Sequence, residues 1–263
     1  MTAPAASAGE AGIRVESLVR HYGTFRAVDA ISFAVQPGEV MGLVGPNGAG
    51  KTTTLRCLAG IIAPSSGRVL VAGHDIQRDP VAAKRALAFI PDEPRLFEHL
   101  TVEEHLRFVG RLYGVADVEA RIGPVLEELE LVEKRRVLST ELSRGMKQKL
   151  AIACGLLHDP RVLILDEPLT GLDPAGMRRM RATIVAHARA GAAVILSSHL
   201  LTLVEELCSS LFVIRRGQGV AAGTIASIVA ARPELAGLSL EEIFLALTTE
   251  ERVAQAPAGE PRA

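Results

Sequence analysis

Short apolar runs alternate with amphipathic stretches along most of this chain. Val40-Met41-Gly42-Leu43-Val44, Val162-Leu163-Ile164-Leu165 and Val194-Ile195-Leu196 carry no polar side chain. Runs of this kind predict strands covered on both faces, as in a parallel sheet. A helical period predicts helices over Val102–Tyr113, Val118–Leu131, Ser143–Leu157 and Pro174–Ala188. The last opens with proline, whose missing N–H costs nothing in a first turn. Strands and helices in alternation predict an α/β fold. The stretch from Phe89 to Leu157 holds three of the helical patterns and little strand, which predicts a helical subdomain at about residues 95–150. Residues 1–12, rich in Ala, Gly and Ser, and residues 251–263 are expected to be disordered tails around one domain over 13–250.

Composition narrows the class. Of the 263 residues, 48% are apolar and 22% charged, which suits a globular chain and excludes a disordered one. Lys plus Arg number 29 against 30 Asp plus Glu, so the electrostatic basis of a general nucleic-acid binder is absent. Trp is absent and there are only two Tyr and seven Phe, too few for a single-strand stacking platform. Nucleic acid is therefore not an expected partner. Cys57, Cys154 and Cys208 show no metal-ligand spacing and read as small buried hydrophobes in a reducing compartment. No apolar stretch reaches the eighteen or so residues that a membrane helix needs. The chain is expected to be cytoplasmic, and any work at a membrane requires a second polypeptide to supply the span.

The strongest chemical signal follows the first apolar run. Gly45-Pro46-Asn47-Gly48-Ala49-Gly50-Lys51-Thr52 fits G-x-x-x-x-G-K-[ST]. At this composition roughly 0.004 chance matches are expected, so the pattern is specific. Glycines let backbone N–H groups line an anion nest, and a helix starting near Lys51 points its positive end there. Lys51 adds a charge for the outer phosphates, and the Thr52 hydroxyl suits Mg²⁺; Thr53 continues the helix. A second signal ends another apolar run, where Val162–Leu165 is followed by Asp166 and Glu167. Ligands of open α/β sheets bind beyond the carboxyl ends of strands. Asp166 is the candidate Mg²⁺ ligand, and Glu167 the candidate base that polarises water.

With further motifs in order, the chain resembles the ATP-binding subunits of ABC transporters over about Ile13 to Thr248. Leu142-Ser143-Arg144-Gly145-Met146-Lys147-Gln148 is similar to the family signature LSGGQ, and Gly171-Leu172-Asp173 to its D-loop. His199 in Leu196-Ser197-Ser198-His199 is similar to its switch histidine. Tyr22 sits where the family stacks an aromatic on adenine. The resemblance implies a P-loop NTPase fold with an ABC-type mixed-sheet core plus a helical subdomain, binding ATP and Mg²⁺. It implies a second ATP-binding subunit, identical or not, whose nucleotide meets Ser143 and Gly145. It also implies a transmembrane permease chain, and a place on the inner face of the cell membrane.

Two positions depart from the family pattern. Arg144 replaces the first signature glycine, with Met146 two residues on. Asp92, in Phe89-Ile90-Pro91-Asp92-Glu93-Pro94, stands where the family has a Gln near Mg²⁺; a carboxylate can ligate the metal but cannot donate a hydrogen bond when ionised. Pro91–Pro94 together with Ser143–Leu150 is similar to a subgroup of exporter-type subunits. The competing expectation is a soluble ABC-type ATPase without transport, against which stand the single cassette and the lack of heptads or Cys/His clusters between Lys51 and Ser143.

Overall fold

In the computed structural model, which describes residues 12–249, the chain opens with a hairpin. β1 (Ile13–Tyr22) and β2 (Phe25–Val35) pair antiparallel across Gly23-Thr24. The apolar run at Val40–Val44 is β3, buried at every position, and it feeds the glycine-rich loop and α1 (Lys51–Leu58). β4 (Ser66–Val71) and β5 (His74–Asp75) extend the hairpin into a sheet, and α2 (Pro80–Arg85) leads to β6 (Leu87–Ile90). Three helices follow: α3 (Val102–Tyr113), α4 (Val118–Glu128) and α5 (Arg144–Leu156). The chain then alternates through β7 (Val162–Asp166), α6 (Pro174–Arg189), β8 (Ala193–Ser197), α7 (Leu201–Leu207) and β9 (Ser210–Arg215). β10 (Gln218–Gly223), α8 (Ile225–Ala231) and α9 (Leu240–Thr248) end the described residues. Of the two tails expected to be disordered, residues 1–11 and 251–263 fall outside those residues; Gly12 is buried instead, its carbonyl accepting from Ala72 N–H at 2.8 Å.

Among the described residues the strands form two sheets. One is six-stranded, in the order β10-β9-β3-β8-β7-β6, parallel except for β10 at its edge. The other is antiparallel, in the order β2-β1-β4-β5. The α/β expectation with a mixed sheet therefore holds.

Side chains along the central strands alternate between two cores. Leu163 and Leu165 of β7, with Val194 and Leu196 of β8, pack with residues of α3 to α6. Val162 and Ile164, with Ala193 and Ile195, point the other way, toward α1 and the antiparallel sheet. Burial on both faces is why these runs contain no polar side chain. Each fully buried Leu or Ile contributes about 1.5–3 kcal/mol before entropy is charged. The same burial holds the strand ends, and hence the site, in place. A third cluster packs α8 and α9 on β9 and Val44.

Local signals set the helix boundaries. α3 begins at Val102 because Thr101 and Glu104 form a reciprocal capping box, with Thr101 N–H donating to Glu104 Oε2 at 2.8 Å. The helix expected over Val118–Leu131 stops at Glu128. Glu130 turns left-handed (φ 57°), and Leu129 and Leu131 bury from the turn instead. Ser143 stands just outside α5 as its cap. The cysteines are free, and burial pushes their thiols up to about 11 for Cys57 and about 12 for Cys154 and Cys208. Among the described residues no helix is long and apolar enough to cross a membrane.

Candidate nucleotide site

The chain leaves β3 through Gly45-Pro46-Asn47-Gly48-Ala49-Gly50 and enters α1 at Lys51. Gly50 is needed on two counts. Its φ is 109°, and a Cβ would stand 2.5 Å from the Ala27 carbonyl oxygen of β2. The loop is braced from the sheets: Gly217 N–H donates to Ala49 O, and Asp29 N–H to Gly217 O, each at 2.8 Å. No side chain caps α1, whereas Thr101, Ser143, Asp173 and Ser239 cap α3, α5, α6 and α9. Thr54 N–H makes the first helix-closing bond, to Gly50 O. The amides of Lys51, Thr52 and Thr53 thus have no carbonyl partner within the helix. An unfilled positive helix end suits an anion. Lys51 Nζ donates to Gly45 O at 2.6 Å and Pro46 O at 3.2 Å. Burial lowers the Lys51 pKa, and the charges of Glu167 and Asp166 oppose that shift.

Two acids end β7 and face the loop. Asp166 is buried, and its Oδ1 accepts from Ser197 Oγ of β8 at 2.5 Å. Glu167 takes a left-handed backbone (φ 51°), held by its N–H donating to Ser197 O at 3.1 Å. A non-glycine residue in that region costs about 1 kcal/mol or more and persists only where surrounding contacts fix it. The turn aims the carboxylate at His199, whose Nδ1 donates to Glu167 Oε2 at 2.8 Å. Burial raises the Glu167 pKa; His199 and Lys51 pull it back. His199 itself is exposed.

These residues line one cleft of about 560 Å³. Its walls include Tyr22, Asn47, Gly48, Gly50, Lys51, Thr52, Thr53, Asp92, Asp166, Glu167 and His199. Gly45, Pro46 and Ala49 complete the loop behind it. Tyr22 is half-exposed, with the Arg20 guanidinium 4.7 Å from its ring centroid. Sequence reasoning missed Phe25 and Thr170, which also line the cleft. Phe25 pairs with Tyr22 across the hairpin; a second aromatic three residues from the motif tyrosine, in a chain where aromatics are only 3% of residues, was the available signal.

Ser143 and Gly145 are not in this cleft. Ser143 is exposed, and its Oγ accepts from Met146 N–H at 3.3 Å as an N-cap. Gly145 lies against the Gly171 turn, where a Cβ would stand 2.8 Å from Gly171 O. Arg144, between them, pairs with Asp92 at 3.4 Å.

The donor set fits a nucleoside triphosphate with magnesium. Among the described residues no group of three or more His, Cys, Asp or Glu side chains is placed to hold a metal alone. Mg²⁺ does not ask for one: it is commonly held by one or two protein oxygens together with substrate phosphates. The Thr52 hydroxyl and the Asp166 carboxylate could supply such oxygens, and the uncapped α1 could supply main-chain donors for the phosphates.

Comparisons with known proteins agree with this geometry. Residues 28–170 match the sequence profile of the family described as ABC transporter. The chain is 38% identical over 237 residues to the Nod factor export ATP-binding protein I of Paraburkholderia xenovorans (strain LB400), covering 89% of this chain and 77% of that protein. It is 32% identical over 244 residues to the ABC-type transporter ATP-binding protein EcsA of Bacillus subtilis (strain 168), covering 91% and 97% respectively. A solved ATP-binding subunit of an ABC transporter superposes with a TM-score of 0.86 at 34% identity, covering 90% of this chain and 99% of that one. By sequence and by fold the chain belongs to the ABC transporter family, as an ATP-binding subunit that hydrolyses ATP.

Proposed function

We propose that this chain works as one of two cassettes that close on ATP and drive a membrane partner. The observation that carries the reading is the division just described. The cleft gathers donors for phosphate, metal and water, while the Ser143 end of α5 is exposed and lies outside it. A partner cassette brings its own Ser143 end to the opposite side of the bound nucleotide, so a pair of chains has two composite sites.

Each residue then has a physical task. The amides of Asn47 to Thr53 and the Lys51 ammonium bind the phosphates. Thr52, Asp166 and Asp92 would hold Mg²⁺, and the metal would offset the charge of the phosphate oxygens. Glu167 accepts the proton of the attacking water, and its burial raises its basicity for that task. His199 positions the Glu167 carboxylate through its 2.8 Å contact and faces the terminal phosphate. Tyr22 offers a ring to the base, as does Phe25. Ser143 and Gly145 supply a hydroxyl and a close main-chain approach to the partner's nucleotide. ATP favours the closed pair by binding it better than the open one, and loss of the terminal phosphate reverses the preference.

The partner we infer is a permease chain, which makes this subunit peripheral on the cytoplasmic face of the membrane. The helices α3 to α5 would pass closure to it. Relatives named for export support that direction. The test is Glu167→Gln, which keeps the shape of the site and removes the base. At saturating ATP this variant is expected to elute as a dimer in size-exclusion chromatography. A monomer under those conditions would exclude the composite site. Co-purification of the tagged wild-type chain with a membrane polypeptide separates transport from a soluble ATPase.

A further inference from the structure

Asp92 and Arg144 are 52 positions apart in the chain, and both depart from the family pattern. Folding brings the two departures together: Arg144 Nη2 lies 3.4 Å from Asp92 Oδ1. Asp92 reaches this contact from the wall of the nucleotide cleft. Arg144 reaches it from the first turn of α5, one residue beyond Ser143. The stem of Arg144 lies against the D-loop turn, where a Cβ on Gly171 would stand 3.1 Å from Arg144 Cδ. One turn along the same helix, Gln148 Nε2 donates to Pro91 O at 3.4 Å. The cleft of this chain and its outward helix end are thus joined by one charge pair and one long hydrogen bond.

The pair is poorly suited to be a brace. It is a single long contact, and its side chains are 59% and 43% exposed, so water and salt screen it. Each member also has a stronger partner available. Asp92 lines the cleft that, on the two-cassette reading, takes a divalent cation. Arg144 sits at the α5 end that, on the same reading, meets a partner's phosphate, which a guanidinium can bind through two parallel N–H groups. A carboxylate drawn to a cation in the cleft loses its hold on the arginine.

We infer that Asp92–Arg144 is an exchange contact, and that Arg144 is a positioning residue that holds Asp92 until the cleft fills. Filling one cleft then frees the Arg144 of the same chain for the phosphate held by the partner. The inference rests on the two-cassette reading and adds a direction to it: the state of a chain's own site sets the charge it presents to its neighbour's.

The test uses the full chain with Arg144→Gln, which removes the competing charge and keeps a polar stem. The Mg²⁺ concentration for half-maximal ATP turnover is expected to fall about threefold, a gap that closes at high salt. Without nucleotide, amide hydrogen exchange at Asp92 and Glu93, the two amides between Pro91 and Pro94, is expected to quicken by a similar factor. Arg144→Lys, which keeps the charge, should behave as wild type in both measurements. Reversing the pair, with Asp92→Arg and Arg144→Asp together, should restore slow exchange but not the Mg²⁺ response, because the carboxylate now sits on α5. An unchanged Mg²⁺ titration or unchanged exchange in Arg144→Gln overturns the inference. If Glu167→Gln still pairs on ATP, the two-cassette reading survives that result; a monomer there removes both.

Discussion

Two helices carry the proposed phosphate contacts of this chain, and they begin differently. α1 starts from Gly50 with no side-chain cap, so its first amides stay open toward the cleft. α5 starts from Ser143, whose hydroxyl already serves Met146 N–H. An open helix end is satisfied only by an anion or water, so a bound phosphate stabilises the fold through it. A capped end is stable alone, and in the two-cassette reading its ligand arrives from outside the chain. The first region therefore binds by completing itself. The second, in that reading, binds by being presented, already capped and exposed, to a partner.

The largest effect is expected at Glu167. Glu167→Gln should lower turnover about 10²–10⁴-fold with ATP binding retained, measured by phosphate release and nucleotide binding together. Because burial raises the Glu167 pKa, the acid limb of kcat/KM should lie above the ordinary glutamate value of about 4.3. The sign for stability follows from the same shift. A folded pKa above the unfolded one gives stability that is present at low pH and lost as pH rises through the folded value. Glu167→Gln should therefore melt higher than wild type at neutral pH; an equal or lower melting temperature would count against a burial-strained carboxylate.

Lys51→Ala breaks the α1 side of the contrast alone. Turnover is expected to drop about 10²–10³-fold, and ATP should no longer raise the melting temperature. Wild-type hydrolysis in this variant would remove the loop from the site. Ser143→Ala breaks the α5 side, and it should cost about 1 kcal/mol of stability with or without ATP, against a few tenths for Ser143→Gly. Equal costs in a denaturant titration would mean that Ser143 does not cap. The smallest effect is expected for Asp92→Asn, which should move the Mg²⁺ titration more than nucleotide affinity. An unmoved Mg²⁺ curve would take Asp92 out of the cleft's chemistry.

The same contrast explains what could be read in advance. β3, β7 and β8 were legible because burial on both faces leaves only apolar residues. The loop was legible because its glycines and Lys51 are adjacent in sequence. α3 was legible to the residue because its capping box is local. The β1–β2 hairpin is not legible in the sequence. Its register slips between Val15 and Leu18 and again before Arg20, and Ser17 and Ala30 adopt positive φ, which breaks the two-residue period. The Asp92–Arg144 contact was equally hidden, since it joins residues that only tertiary packing of α5 against the Pro91 segment brings together.

The most direct test joins the two helix starts across a pair of chains. Ser143→Cys in one preparation and Asn47→Cys in another, mixed with a short bifunctional thiol reagent, report whether the capped end of α5 meets a neighbour's phosphate loop; both positions are exposed, whereas Cys57 is buried and Cys154 and Cys208 are half-buried. A covalent dimer that forms with ATP and fails to form without it is the expected result. Mixed chains that stay monomeric at saturating ATP would contradict it.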